Sequence, residues 1–364
     1  MAVGIFGLPQ AGKTTIFNAA TRGAAAAGRS GRAGPNLGVV KVPDARLGVL
    51  AGMDHPKRIV HAEIEYLDVP APAGGADKPK GISAEYLNVL GGCEALLMVA
   101  RAFSDPAVAH VSESVDPYRD AASLELELIL TDIGVLERRE ERVESQLRTA
   151  KTLDRDALRK ELALLKSIRE SLEAEVPVRA QALPKEAAPF LQNFALLSAK
   201  PLMIVFNIDE DDVGRTPEIE ADMAERLGSE GVATAAVSGK LETELAEMSP
   251  EDEAEFRESL GAGEPGLDRT AVLCYGVLGL IAFLTTGPDE TRAWAIRDGT
   301  TALEAAGKIH TDIQRGFIRA EIVSYDDLVR AGSLPEARKQ ATLRSEGKGY
   351  VMRDGDVVNF LFNV

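Results

Sequence analysis

The chain has 364 residues, 45% of them hydrophobic and 27% charged, which suits a globular protein with a real core and is long enough for two or three domains. A formal net charge of −16 excludes a nucleic-acid face spread over the whole surface and leaves room for a local basic patch only. Cys93 and Cys274 each sit in an apolar run and read as buried thiols of a reducing compartment, and four scattered histidines offer no zinc spacing.

The first predicted element is a strand near 2–6. Straight after it, Gly7 to Thr15 read GLPQAGKTT, the pattern G-x-x-x-x-G-K-[ST] between a strand and a helix. The glycines let the backbone fold tightly, so the N–H groups of Leu8, Gln10, Ala11 and Gly12, around a Pro9 that has none, turn toward a phosphate. Lys13 can reach the β- and γ-phosphates, and the Thr14 hydroxyl can ligate Mg²⁺ beside Thr15. A helix from about Thr14 to Thr21 presents its positive end to the same anion. The expected ligand is a nucleoside triphosphate. The N-terminus reads as a core strand and not a signal peptide, and no apolar run reaches spanning length, so a cytoplasmic chain with no membrane partner is expected. A monomer is expected as well.

Further strands are predicted near 37–42, 61–68, 95–101, 201–206 and 232–237. Continuous runs such as LLMVA and LMIVF suit strands covered on both faces, the mark of an α/β doubly wound, mostly parallel sheet. Asp68 closes the run HAEIEYLDV and is the natural second metal carboxylate, a plain strand-end carboxylate being the alternative. Many switch proteins continue D-x-x-G, whose glycine N–H senses the γ-phosphate. Here the residues are Asp68-Val69-Pro70-Ala71-Pro72, and neither proline has an N–H to give.

Between 118 and 182 the pattern becomes charge-dense with heptad-like spacing. Leu136, Val143 and Leu147 form one set and Leu158, Leu162, Leu165 and Leu172 a second. Asp154 is placed to cap a new helix between them, and Pro177 and Pro184 to end it. This predicts an inserted antiparallel helical hairpin whose charges read as a solvated face or a binding site. After LMIVF come Asn207, Ile208, Asp209 and Glu210. Guanine-reading loops have N-K-x-D here, and Glu210 in place of that aspartate misplaces the bidentate contact, so adenine is expected to be accepted as well as guanine. An acidic helix N-terminus is the alternative for the same residues. Ser238, Gly239 and Lys240 follow the next strand and can close over the base. SPEDEAEFRESLGAGEPGLDR predicts a helix and a turn. Beyond Gly279, AWAIRDGT, GFIRAEIVSY and KGYVMRDGDVVNFLFNV predict strands with Gly-Asp turns around a helix near 301–309. The domains expected are 1–117 with 183–278, 118–182, and 279–364.

With these pieces in place the chain resembles the YchF/Obg-like ATPase family nearly end to end. GLPQAGKTT is similar to that family's GLPNVGKST, KPLMIVFNIDED carries its N-x-x-E base loop, and VDPYRDAASLELELILTDIGVLERR looks like the entry to its helical insertion. The most specific matches are SGKLETELAEMSPEDEAEF and the stretch from LGLIAFLTTGPDETRAWAIRDGTTALEAAGKIHTDIQRGFIRAEIV to the end. The resemblance implies a P-loop G domain, the helical insertion and a C-terminal α+β β-grasp (TGS) domain. It also implies slow ATP or GTP hydrolysis with Mg²⁺, and the ribosome or its RNA as partner. Two segments depart from the family. AGRSGRAGPN lacks its first-switch threonine, and DVPAPAGGADKPKGISAEY replaces DIAGLVKGASKGEGLGN. A nucleotide-binding module with little or no hydrolysis is therefore the second reading. A scaffold binding RNA through Arg315, Arg319 and Arg330 is a third. His310 reads as part of a structural turn.

Overall fold

The strands that the sequence shows most plainly are the ones the fold buries most completely. The computed structural model describes all residues except 23–34, 69–83, 109, 111–112, 150, 185–186, 192 and 364. Six strands form the first sheet: β1 (Ala2–Phe6), β2 (Asn36–Val42), β4 (Ala62–Asp68), β5 (Ala95–Arg101), β6 (Leu202–Asn207) and β7 (Val232–Val237). The order is β2-β4-β1-β5-β6-β7, and β1–β4, β1–β5, β5–β6 and β6–β7 are parallel pairs. Every residue of β5 and β6 is buried, as continuous apolar strands covered on both faces must be. β4 alternates buried and exposed positions along AEIEYLD. This is the doubly wound sheet of a P-loop G domain.

The register puts the carboxyl ends of five strands at one edge. Ile5 lies opposite Asp68, Phe6 opposite Met98, and Arg101 and Val237 flank Asn207. Open α/β sheets bind their ligands at that edge. The helices of this part are α1 (Lys13–Ala20), α3 (Ala84–Gly91), α4 (Pro117–Thr149), α5 (Thr152–Glu173), α6 (Ala188–Leu191), α7 (Thr216–Leu227), α8 (Gly239–Leu245) and α9 (Pro250–Leu260).

α4 and α5 form the expected hairpin. Ile129, Leu136, Val143, Leu165, Ile168 and Leu172 are buried in its seam, with Leu147, Leu158 and Leu162 half-buried beside them. Two boundaries differ from expectation. α5 starts at Thr152 behind an N-cap Lys151 that offers no side-chain bond, so Asp154 lies two residues inside the helix and not at its cap position. The helix also ends at Glu173, before Pro177, which instead opens a short 3-10 turn.

The buried Asp132 carboxylate of α4 accepts the N–H of Leu197 at 2.8 Å, the N–H of Ser198 at 2.7 Å and the Ser198 hydroxyl at 2.6 Å. It fixes the turn that feeds β6. Burial pushes its pKa up, against the pull of those three donors. Asp132→Asn keeps the size but turns an amide NH₂ toward donors. It is expected to cost about 2 kcal/mol in urea unfolding with an unchanged slope. A midpoint equal to wild type would show that the carboxylate does not hold the turn.

The chain divides into two compact units, residues 1–38 with 65–270 and residues 39–64 with 271–364. The second carries the sheet β11 (Arg344–Glu346), β10 (Phe317–Ser324), β12 (Asp356–Phe362), β8 (Leu280–Thr285), β9 (Glu290–Arg297) and β3 (Arg58–Val60), in that order. β8–β9, β10–β11 and β10–β12 are antiparallel, while β12–β8 and β3–β9 are parallel. Its helices are α2 (Ala45–Asp54), α10 (Gly266–Val277), α11 (Ala302–Ile309), α12 (Thr311–Arg315), α13 (Tyr325–Ala331) and α14 (Leu334–Lys339), α10 beginning in the first unit. α11 is started by a reciprocal cap between Thr301 and Glu304 and lays Ala302, Ala305 and Ala306 on Phe283, Ile322 and Phe360. This is the β-grasp packing of one helix on a mixed sheet. A cavity of about 840 Å³ in this unit is lined by Ile309, Ile313, Leu334, Pro335, Phe360 and Phe362, among others, and shares no residue with the phosphate loop. Cys93 and Cys274 are both buried as thiols. Among the described residues no helix is long and apolar enough to cross a membrane.

Candidate functional site

β1 ends at Phe6, and the chain reverses through Gly7–Gly12 into α1. Two glycines make the turn possible. Gly7 (φ 156°) would bring a Cβ to 2.3 Å from the Val99 carbonyl oxygen, and Gly12 (φ 89°) to 2.1 Å from Asn207 Nδ2. Pro9 and Gln10 form the exposed tip, with Gln10 itself left-handed (φ 62°), while Leu8 is half-buried and Ala11 buried. Lys13 is folded back on the loop. Its ammonium donates to the carbonyl of Leu8 at 2.7 Å and of Gly7 at 3.0 Å. Burial pushes its pKa down to about 8, against the opposing pull of the nearby Asp68 carboxylate.

The Thr14 hydroxyl, at the exposed start of α1, donates to Asp68 Oδ2 at 3.1 Å. Asn36, which the sequence reading did not single out, donates to the same oxygen at 3.5 Å. Asp68 is buried, and its Oδ1 has no hydrogen-bond partner among the described residues. A buried carboxylate with an unused oxygen beside a threonine hydroxyl fits a hard, oxygen-seeking cation such as Mg²⁺. Thr15, half-buried, turns its methyl toward Gly239, 3.4 Å from where a Cβ there would lie.

At the end of β6, Asn207 uses both ends of its amide inside the protein. Nδ2 donates to the Ala11 carbonyl at 3.1 Å, and Oδ1 accepts the Gly239 N–H at 2.9 Å. It is a brace between the phosphate loop and the start of α8. Ile208 is buried and its N–H donates to the Val237 carbonyl at 3.0 Å. Glu210 and Lys240 meet at 2.8 Å across the opening between their two loops, and this contact raises the Lys240 pKa. Ser238 is the N-cap of α8 yet makes no capping bond, and its buried Oγ lacks a partner among the described residues. Expected residues from β1, β4, β6 and β7 thus share one edge of one sheet.

Sequence reasoning missed the loop after β5. The buried Arg101 guanidinium donates to three carbonyls: Phe103 at 3.1 Å, Val108 at 2.9 Å and Asp105 at 3.2 Å. It also lies 4.4 Å from the Phe103 ring centre. The Ser104 N–H donates to Asp209 Oδ2 at 2.9 Å, tying this loop to the base loop. Phe103 comes 3.9 Å from where a Gly12 Cβ would stand. The available signal was an arginine closing the apolar run LLMVA just before the turn-forming SDP.

The first-switch stretch 27–34, and the stretch with Pro70, Pro72 and Ser83, lie outside the described residues. Arg315, Arg319 and Arg330 belong to the second unit, where Arg330 pairs with Asp327 at 2.9 Å. His310 is a turn residue, its Nδ1 accepting the Asp312 N–H at 3.2 Å at the head of α12.

The family model YchF-GTPase_C, "Protein of unknown function (DUF933)", matches residues 280–363. The chain is 39% identical over 368 residues to the "Ribosome-binding ATPase YchF" of Bacillus subtilis (strain 168), with 100% of each covered. It is 38% identical over 363 residues to the protein of that name from Escherichia coli O157:H7, with 99% of each covered. Among solved structures it matches that of the Schizosaccharomyces pombe YchF GTPase with a TM-score of 0.88 and 30% identity, over 99% of this chain and 97% of that one.

Proposed function

The chain belongs to the YchF family, and from that membership we propose that it is a Mg²⁺-dependent ATP-binding protein, slow in hydrolysis, that works on the ribosome. The observation that carries the reading is the meeting of Lys13, Thr14 and an Asp68 oxygen without a partner among the described residues, at the mouth of a glycine-turned loop. The names of the relatives supply the ribosome.

In this reading the N–H groups of 8–14 that proline does not remove cradle the β-phosphate, at the positive end of α1. Lys13 leaves the Gly7 and Leu8 carbonyls and pairs with the β- and γ-phosphates. Thr14 and Asp68 would hold Mg²⁺, which when bound would supply charge neutralisation on the phosphates that the loop aligns; such transfer needs position and charge more than covalent chemistry. The base lies between Ile208–Glu210 and Ser238–Lys240, with Asn207 fixing the spacing of the two loops.

Base choice tests this geometry. Glu210 is one carbon longer than the guanine-reading aspartate and is engaged by Lys240. ATP is therefore expected to bind at least as well as GTP in calorimetric titrations with Mg²⁺ present. A preference for GTP above about a hundredfold, about 2.8 kcal/mol, would match a formed guanine contact and contradict the reading.

A second reading, nucleotide binding with little or no hydrolysis, is favoured by the missing first-switch threonine and by Pro70 and Pro72 in place of a mobile N–H sensor. Transition-state donors are lost while the binding loop is intact. In single-turnover assays the native chain is expected to hydrolyse ATP more slowly than a version carrying the family's two switch segments, at similar ATP affinity. Equal rates would mean that the altered segments cost nothing, and Ser83 and Glu85 would then be tested as a replacement sensor.

A further inference from the structure

In the order of the second sheet β12 is an interior strand, yet part of one edge is open. β8 runs parallel to it with Leu284 opposite Val357, and β8 ends at Thr285 before the chain turns into β9. Past that point β12 has a strand on the β10 side alone, where Phe317 to Ile322 pair with it. The Gly355 carbonyl accepts the Tyr325 N–H at 3.0 Å, and the Asn363 N–H donates to the Gly316 carbonyl at 2.9 Å. Backbone direction alternates along a strand, so the odd-numbered residues of β12 face β10. Phe360 and Phe362 then turn their N–H and C=O groups to the open edge. Phe360 is buried, and buried backbone groups need partners.

The cavity of about 840 Å³ lies along this edge. Val357 and Asn359 line it, and so do Val358, Phe360 and Phe362. Successive residues of a strand belong to opposite faces, so the cavity sits beside the strand and not over one face. Ile309 and Ile313 pack on the Phe360 side. α14 lies on the other side, where Arg338 and Asn359 both donate to Glu321, at 2.7 and 3.3 Å. The charges of the wall are engaged within it. Arg338 has Glu321, Lys339 has Glu336 at 2.5 Å, and Asp54 accepts the Thr286 hydroxyl at 2.6 Å. Two large apolar residues nevertheless face solvent here. Phe362 is 42% exposed, and Ile318, at the bulge of β10 beside it, is 60% exposed.

We infer that this edge binds an extended, uncharged peptide segment of a partner protein, added as a strand on β12. Donors and acceptors set two residues apart along a strand edge match the backbone of another strand. Its alternate side chains would enter the apolar surroundings of Ile309 and Ile313 on one face and of Leu334 and Pro335 on the other. A charged side chain would be buried there without a counter-charge, because the wall's own charges are already engaged. β12 of a second copy is the wrong occupant, since its open edge is enclosed by the same walls. Every residue of the site belongs to the second unit, so the inference goes beyond the nucleotide reading and does not rest on it.

The test passes a pool of capped, uncharged hexapeptides over the immobilised full chain. Retained peptides are expected to carry apolar residues at alternate positions. The one retained most is labelled with fluorescein and followed by anisotropy. N-methylation of its alternate amides is expected to weaken binding at least about tenfold in one register and to leave it unchanged in the other. Only a peptide read along one backbone edge behaves so. On the protein side, Phe362→Pro removes an N–H of the open edge while Phe362→Ala removes the ring alone. The proline variant is expected to bind at least about tenfold more weakly than the alanine variant. Gly287 lines the cavity and a Cβ there meets nothing within 4 Å, so Gly287→Leu adds bulk with no backbone clash and is expected to weaken binding too. If a variant fails to fold, the two N-methyl registers decide alone. The proposal is overturned if no hexapeptide is retained, or if both registers bind alike. It is overturned too if light scattering shows a wild-type dimer that Gly287→Leu makes monomeric, which would put a second copy in the cavity.

Discussion

Lys13→Ala is expected to weaken Mg²⁺·ATP binding by about a hundredfold or more while the chain stays folded. Its ammonium is the one side-chain cation built into a loop of backbone donors, and each charge-assisted bond to a phosphate is worth about 1.5–3 kcal/mol. The cost to the fold is small for a physical reason. Within the loop Nζ meets two neutral carbonyls, and burial already disfavours its charge. A thermal midpoint within about 3 °C of wild type is expected, read in the same preparation as the calorimetric titration. Unchanged affinity for the triphosphate would remove the phosphate-loop assignment.

Asn207→Ala is expected to damage both fold and site. It strands the Ala11 carbonyl and the Gly239 N–H, both in buried surroundings. At about 1–3 kcal/mol for each unpaired group, unfolding stability should fall by about 3 kcal/mol. ATP affinity should fall by more than about tenfold, because the phosphate loop and the start of α8 lose their shared brace. Asn207→Asp separates the two bonds, since it still accepts from Gly239 but cannot donate to Ala11. It is expected to fall between wild type and alanine in stability. Wild-type stability in the alanine variant would show that Asn207 is not the brace its geometry describes.

The parts of the fold legible in the sequence share one property: their signal is local. LLMVA and LMIVF announce strands buried on both faces, and β5 and β6 are buried throughout. GLPQAGKTT states its own turn, because Gly7 and Gly12 occupy backbone positions where a Cβ would collide. The Thr14–Asp68 pair was legible because β4 ends at Asp68, and parallel pairing with β1 sets the two strand ends level.

What was not legible is non-local or chemically silent. β3 is three residues long with two of them exposed, and it exists through its parallel pairing with β9, far along the chain. α12 to α14 run five to seven residues, too short for a helical period to emerge. The start of α5 was misplaced because Asp154 has the chemistry of a cap and Lys151, which holds the position, does not. Arg101 looked like the tail of a strand, since its three carbonyl acceptors leave no mark in a sequence. Asn207 was expected near the base, and only the structure shows both ends of its amide already engaged.

The most direct test of the central claim is a crystal structure of the full chain with Mg²⁺ and a non-hydrolysable ATP analogue. The account predicts the phosphates inside Gly7–Thr14, with Lys13 Nζ moved from the Gly7 and Leu8 carbonyls onto them. It predicts the metal between Thr14 and Asp68, and the base between Ile208–Glu210 and Ser238–Lys240. An analogue bound elsewhere, for instance in the cavity lined by Ile309, Ile313 and Phe360, with Lys13 still on its carbonyls, would contradict it.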